Sequence, residues 1–180
     1  TYFDFQSRLS NNLYATFGSR FDEHSVAGNE DSHRATFAYL FDDKLTKLKS
    51  SFGTGFRFPS LYEMYYVYAA NSKSLSYVKA ENSKSFDIGV EKFFPNIGLN
   101  LEATFFNMKY DDVLEGWKDG TSSGLAYTTQ NMPGTVKSKG LELISKWKVN
   151  NLLNFDLNYT FTSTYDGAEA DDPNRNQSYT

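Results

Sequence analysis

Hydrophobic and polar positions alternate along most of the chain. From residue 152 to 165 it reads LLNFDLNYTFTSTY, with Leu153, Phe155, Leu157, Tyr159 and Phe161 on one parity and Asn154, Asp156, Asn158, Thr160 and Thr162 on the other. Side chains on a strand point alternately to opposite sides, so this segment predicts a strand with one apolar wall and one wet wall. The dyad recurs with Phe3, Phe5 and Leu9 against Asp4, Gln6 and Arg8, and with Leu13, Ala15, Phe17 and Phe21 against Thr16, Arg20 and Asp22. It recurs again with Phe86, Ile88 and Val90 against Ser85, Asp87 and Glu91. Long amphipathic strands rich in Phe and Tyr are what a transmembrane β-barrel requires.

The connections between these runs alternate in length. Ser10-Asn11-Asn12, Asp42-Asp43-Lys44, Pro95-Asn96 and Asn150-Asn151 carry tight-turn chemistry, since Asn, Asp and Pro satisfy local backbone geometry at such places. Longer connections are expected at 25–33, 59–83, 113–127 and from 166 onward. Outer-membrane barrels keep turns short on the periplasmic side and loops long outside, so the alternation assigns sidedness. The predicted strands are 2–9, 13–24, 34–42, 46–57, 84–94, 97–111, 128–149, with an interruption at Pro133-Gly134, and 152–165. This even count places both ends of the segment on the outer side.

Composition narrows the class. The 180 residues are 17% aromatic and 39% hydrophobic with a mean hydropathy of -0.56, and no apolar run approaches the roughly 20 residues a membrane helix needs. A net charge of -4 with no basic stripe argues against a nucleic-acid partner. There is no cysteine, hence no disulfide scaffold and no thiolate metal site. The first residue is Thr1 and the last stretch reads NRNQSYT, so the chain is expected to be a piece of a longer barrel, residues 1–180 lacking a closing strand. A soluble β-rich binding module would share the alternation. Stretches such as IGLNLEATFFNMKYDD and KGLELISKWKVN run past the usual strand length of about five or six residues, and their second face is wet at nearly every other site, which favours the membrane barrel.

Four segments carry a family resemblance. Gly53-Thr54-Gly55-Phe56-Arg57-Phe58-Pro59-Ser60-Leu61-Tyr62-Glu63 resembles the G-x-G-F-[RK]-A-P-[ST]-L-x-E segment of TonB-dependent outer-membrane receptors. Val78-Lys79-Ala80-Glu81 with Lys84-Ser85-Phe86-Asp87-Ile88-Gly89-Val90-Glu91 is similar to that family's L-K-P-E-x-S-x-x-x-E-x-G-x-E stretch. Phe105-Phe106-Asn107 with Tyr110-Asp111-Asp112 resembles its Y-F-N-x-x-Y-x-D segment, and Asn131 with Lys139-Gly140-Leu141-Glu142 its N-x-G-x-x-x-x-x-G-x-E segment. Phe58 stands where the family has Ala, and Ala80 where it has Pro, so the two ends of that loop are expected to pack in their own way. The stretch from Gly53 to Glu142 looks most like the cobalamin-receptor branch. The resemblance implies a barrel of about 22 strands, of which this chain supplies about eight. It also implies an N-terminal plug domain and a TonB-contacting segment outside these residues.

The motifs also have a direct physical reading. Gly53, Gly55 and Arg57 share the inward parity of their strand, so they are expected to face an enclosed plug, the glycines by removing side chains and Arg57 by a bidentate contact. Bulge or bend glycines are the alternative for the first two, and pairing with a neighbouring strand's acid, or a solvated charge in an open pore, is the alternative for Arg57. Gly140 is expected to be a bulge that resets parity, because Lys137 and Lys139 otherwise share the lipid face with Leu141 and Leu143. Trp147 is placed in the periplasmic aromatic girdle. In the outer loops Tyr62, Tyr65, Tyr66, Tyr68, Trp117 and Tyr127 are candidate ligand contacts, amphipathic rings that can stack on a bulky molecule; the upper girdle, or packing of the loops against each other, is the competing assignment. Asp166, Glu169, Asp171 and Asp172 have the oxygen-rich character of a calcium site but not the spacing of a closed ligand loop, so a solvated outer loop is expected and no metal site is assigned.

Nothing in the sequence brings the two histidines, His24 and His33, against a serine, although Ser25 and Asp31 are near them. An enzyme is therefore not expected. The expected function, carried by the resemblance, is uptake across the bacterial outer membrane of a scarce bulky nutrient such as a ferric siderophore, haem or cobalamin. Its expected partners are outer-membrane lipid, the small-molecule or metal-chelate ligand, and TonB through the missing N-terminal region, with no cofactor. A passive plugless porin is the other membrane reading.

Overall fold

The computed structural model describes residues 1–64, 78–118, 127–132 and 134–167, with only the backbone followed at 115–118 and 127–129. Ten strands run in the order β1 (Tyr2–Arg8), β2 (Leu13–His24), β3 (Gly28–Leu40), β4 (Thr46–Arg57), β5 (Glu81–Phe94), β6 (Leu99–Asp111), β7 (Leu114–Lys118), β8 (Tyr127–Asn131), β9 (Thr135–Lys148) and β10 (Asn154–Asp166). Eight form one antiparallel sheet in the order β1-β2-β3-β4-β5-β6-β9-β10, and β7-β8 form a separate hairpin. The sheet is an unclosed, all-antiparallel section of barrel wall.

Four tight connections fall where turn chemistry predicts them. At the β3–β4 turn the Asp43 carboxylate accepts from the Leu45 and Thr46 amides at 2.9 and 2.8 Å and from the Thr46 hydroxyl at 2.7 Å, while Lys44 takes a left-handed φ of 56°. The Thr46 hydroxyl foremost, then these amides and Lys92, holds the Asp43 carboxyl well below its ordinary value. Between β5 and β6 a short 3-10 turn, Pro95–Ile97, ends at Gly98 with φ 63°.

Three expectations need correction. The connection at 25–33 is not long: β2 and β3 continue to His24↔Gly28, and the His24 Nδ1 accepts from the Val26 and Ala27 amides to close a three-residue turn. The segment predicted as strand 128–149 is two elements, β8 in the outer hairpin and β9 in the wall, and the 113–127 connection contains β7. Gly140 is no bulge, because β9 pairs without a slip from Thr135 to Trp147 against β6, and Lys137 and Lys139 do share the outward face with Leu141 and Leu143.

Gly140 is instead a place of close approach. A Cβ there would lie 2.1 Å from the Phe161 carbonyl oxygen and 2.5 Å from the ring of Phe106, its directly opposite partner on β6. The same arrangement recurs across the inner face, where Gly53, Gly55 and Gly89 sit opposite Ser85, Ser83 and Thr104. At each, the partner's side chain lies over the glycine.

The two faces separate as the dyad requires. Directly opposite residues on adjacent strands share a face, so register lines up outward rows such as Phe37–Ser50–Ile88–Phe105–Leu141–Phe161 and Tyr39–Leu48–Val90–Ala103–Leu143–Tyr159. Most of these apolar side chains are exposed, Phe161 to 60%. Among the described residues no layer covers them, and an apolar sheet face of this size is stable in hydrocarbon, not in water. The inner face is a polar lattice. Ser51 donates to Asp87 at 2.7 Å, Lys47 pairs with Glu91 at 2.5 Å, Lys49 pairs with Glu102, and Asn100 donates to Glu91 at 3.1 Å. At the lower end Trp147 donates its indole N–H to the Ile97 carbonyl at 2.9 Å and packs beside Phe155.

Candidate functional site: the outer rim of the wall

The buried apolar side chains Met64, Val78 and Ala80, each 2% exposed or less, sit at the upper rim, where β4 leaves the sheet and β5 returns. Beside them stands a charged cluster. Arg57, the last residue of β4, donates Nε to Glu81, the first residue of β5. Its two terminal nitrogens grip both oxygens of Glu63 at 3.1 Å, the bidentate geometry that suits a guanidinium to a carboxylate.

Glu63 is itself placed by a capping box. The Ser60 hydroxyl accepts from the Glu63 amide at 3.2 Å, and the Glu63 carboxylate accepts from the Ser60 amide at 2.7 Å and from its hydroxyl at 2.8 Å. This starts the helical turn at 61–64. Glu81 reaches further, accepting the Leu114 amide at 2.7 Å and so tying the outer hairpin to the same point. Asn131, at the end of β8, completes the junction. Its side-chain oxygen accepts from the Lys79 amide at 2.8 Å, and its nitrogen donates to the carbonyls of Lys79 and Asp112 at 3.0 and 2.7 Å.

Residues from all four family-like segments thus meet in one place. Sequence reasoning assigned no role to Glu63, Glu81 or Asn131; the S-x-x-E spacing at 60–63 was the available signal for the first, and nothing local signals the other two. Phe58, in the family's Ala position, packs its ring 5.1 Å from those of His24 and Phe56, fastening the β4 exit to the end of β2.

Burial opposes ionisation of Glu63, but the Arg57 and Ser60 hydrogen bonds outweigh it and hold the carboxyl below its ordinary value of 4.5. A depressed folded value means that the unfolded loop takes up a proton near 4.5 before the folded one does. The rim's stabilisation by Glu63 is therefore complete above 4.5 and is lost as pH falls below that through the folded value. Hydrogen exchange at the Met64 amide, bonded to the Ser60 carbonyl at 3.0 Å, should keep its protection factor down to about that pH and lose it below. Glu63→Gln should flatten the acid limb; a limb unchanged in Glu63→Gln would remove Glu63 as its source.

Of the predicted plug-facing residues, Gly53 and Gly55 line a shallow inner groove with Arg34, Ser51, Ser83, Ser85 and Asp87. Arg57 stands above it, engaged by Glu63 and Glu81. Of the candidate ligand residues, Tyr62 is exposed on the first turn of the loop. Trp117 and Tyr127 fall on the paired strands of the outer hairpin, opposite Thr128 and Lys118; their side chains, with Tyr65, Tyr66 and Tyr68, lie outside the described residues. Glu169, Asp171 and Asp172 do too. A serine and a histidine do meet, contrary to expectation. Register sets Ser19 opposite His33, with Oγ 2.9 Å from Nδ1, and Asp31 lies 2.6 Å from Nε2. Ser19 lies within the ladders with both β1 and β3.

An apolar outward face, a polar inward face, short turns below and linked loops above define a section of outer-membrane β-barrel wall. Residues 1–179 match the family described as TonB dependent receptor-like, beta-barrel, and the chain belongs to that family. It is 25% identical over 138 residues to the vitamin B12 transporter BtuB of Vibrio vulnificus, which covers 76% of this chain and 21% of the relative. Its fold resembles that of the siderophore receptor PirA from Pseudomonas aeruginosa, with a TM-score of 0.77 at 18% identity over 91% of this chain and 33% of that one. It also resembles a G324V mutant of the ferric enterobactin receptor PfeA from the same organism, with a TM-score of 0.69 at 21% identity over 87% and 25%. The chain spans between about a fifth and a third of the length of these proteins, and like them it belongs to the bacterial outer membrane.

Proposed function

We propose that this chain is wall and outer rim of a TonB-dependent transporter that takes up a bulky metal chelate, of the size of a ferric siderophore, haem or cobalamin. The observation that carries the reading is the rim junction of Arg57, Glu63, Glu81 and Asn131, which fastens the roots of two outer loops to the wall. Those loops carry the aromatic residues Tyr62, Tyr65, Tyr66, Tyr68, Trp117 and Tyr127, which contact the ligand. A plug domain encoded outside these residues fills the lumen and approaches the inward groove at Gly53 and Gly55, beneath Arg57. TonB engages that plug and opens the path. Similarity to a vitamin B12 transporter favours cobalamin among the candidates.

The test is uptake of radiolabelled cyanocobalamin and of iron-loaded siderophores by cells expressing the full-length protein as sole receptor, with and without TonB. Saturable, TonB-dependent uptake of one of these is expected. Uptake that persists without TonB and rises linearly with concentration would instead establish a passive pore.

A further inference from the structure

The outward face carries an unbalanced row of lysines. Register sets Lys84 of β5 directly opposite Lys109 of β6, and Lys109 directly opposite Lys137 of β9, with Thr54 and Tyr165 closing the row at either side. Lys139 stands two residues below Lys137 on the same face. Among the described residues one carboxylate lies in this patch, that of Asp111, which Lys109 contacts at 2.9 Å and which also accepts from Thr135. Four ammonium groups thus crowd three adjacent strands, about 10 Å across, against a single acid. Like charges set directly opposite on a sheet are unfavourable. The inner face shows that this wall elsewhere gives its lysines acids, Lys47 to Glu91 and Lys49 to Glu102.

Height fixes what the row meets. Lys137 lies ten residues up β9 from Trp147 in the lower girdle. At about 3.3 Å per residue and a tilt of about 40° that is roughly 25 Å vertically, the height of a barrel's apolar band. Immediately below the lysines run the apolar positions Phe86, Ile88, Phe105 and Leu141. The row therefore stands at the upper polar boundary of the membrane, outside the barrel, where long cationic side chains lay their stems on apolar surface and lift their heads to the phosphate plane.

We propose that Lys84, Lys109, Lys137 and Lys139 form a binding site for the phosphorylated headgroup of an outer-leaflet glycolipid of the lipid A type, whose acyl chains lie against the apolar rows beneath. The phosphate oxygens accept from the ammonium groups and relieve their mutual repulsion. This site faces away from the lumen and depends only on the barrel's place in the outer membrane, so it stands whichever nutrient is carried.

The experiment uses the purified full-length protein in detergent, titrated separately with bisphosphorylated lipid A, dephosphorylated lipid A and inorganic phosphate. The first should bind, and the triple variant Lys84→Gln, Lys109→Gln, Lys137→Gln should bind it about a hundredfold more weakly, since each cation near an anionic lipid surface contributes a several-fold factor. The matching triple Lys→Arg variant should stay within a few-fold of the parent. Heat-modifiable migration on gels shows that each variant is folded, and Lys109→Gln alone replaces the triple if it is not. Unchanged binding by the glutamine variant, equal binding of the dephosphorylated lipid, or inorganic phosphate binding as tightly as the lipid would each overturn the proposal.

Discussion

Leu157→Arg in the full-length barrel is expected to cost about 2–4 kcal/mol of folding stability, while Asn158→Arg, one residue along β10, should cost well under half of that. Leu157 stands on the outward face opposite Ser145, in line with Leu101, so an arginine there carries its charge into hydrocarbon. Asn158 stands on the inward face opposite Ile144, which is itself opposite Glu102; an arginine there meets water and an acid. Unfolding titrations of the two variants in lipid vesicles measure the difference. Equal costs would reject the assignment of the two faces, and with it the membrane reading of the whole sheet.

The second large effect is expected at the rim. Arg57→Ala removes three hydrogen bonds to two carboxylates and leaves Glu63 and Glu81, each about one-fifth exposed, without their cation. Hydrogen bonds to charged groups contribute about 1.5–3 kcal/mol each when buried, but the half-exposed guanidinium is screened, so a local loss of about 1–3 kcal/mol is the reasonable magnitude. That loss should appear as a tenfold or greater fall in exchange protection at Met64 and Leu114, whose amides close the Ser60 turn and the Glu81 link. The global unfolding midpoint should hardly move, because Arg57↔Glu81 is the last pair of the β4–β5 ladder and the rest of the sheet pairs without it. Uptake should fall with the protection. Unchanged protection and uptake in Arg57→Ala would show that the junction does not hold the loops.

The wall was legible because one physical constraint, lipid on one side and water on the other, writes a period of two into every strand that crosses the membrane. It failed where that constraint ends. The stretch Glu30-Asp31-Ser32-His33-Arg34 belongs to β3, yet it reads as a loop because both faces are polar near the upper end of the strand. The strands of the hairpin β7-β8 are five residues each, too short to leave a long pattern. At Gly140 the sequence shows the parity conflict of Lys137 and Lys139 and not the Phe106 ring that occupies the glycine's side-chain space. The rim junction was least visible of all. Asn131 meets Lys79 across 52 positions, and no spacing rule connects a single asparagine to the backbone of another loop.

The inward glycines carry a mechanical consequence. At Gly53, Gly55, Gly89 and Gly140 a neighbouring side chain lies over the glycine instead of standing away from the sheet. This lowers the local relief of the lumen wall at four places. Packed surfaces that interdigitate can part only by lifting over one another, whereas smooth ones shear. A body seated against this side of the barrel would thus be held by polar contacts that water can replace, with few side-chain knobs to be drawn out. The wall would act on it as a bearing rather than as a socket.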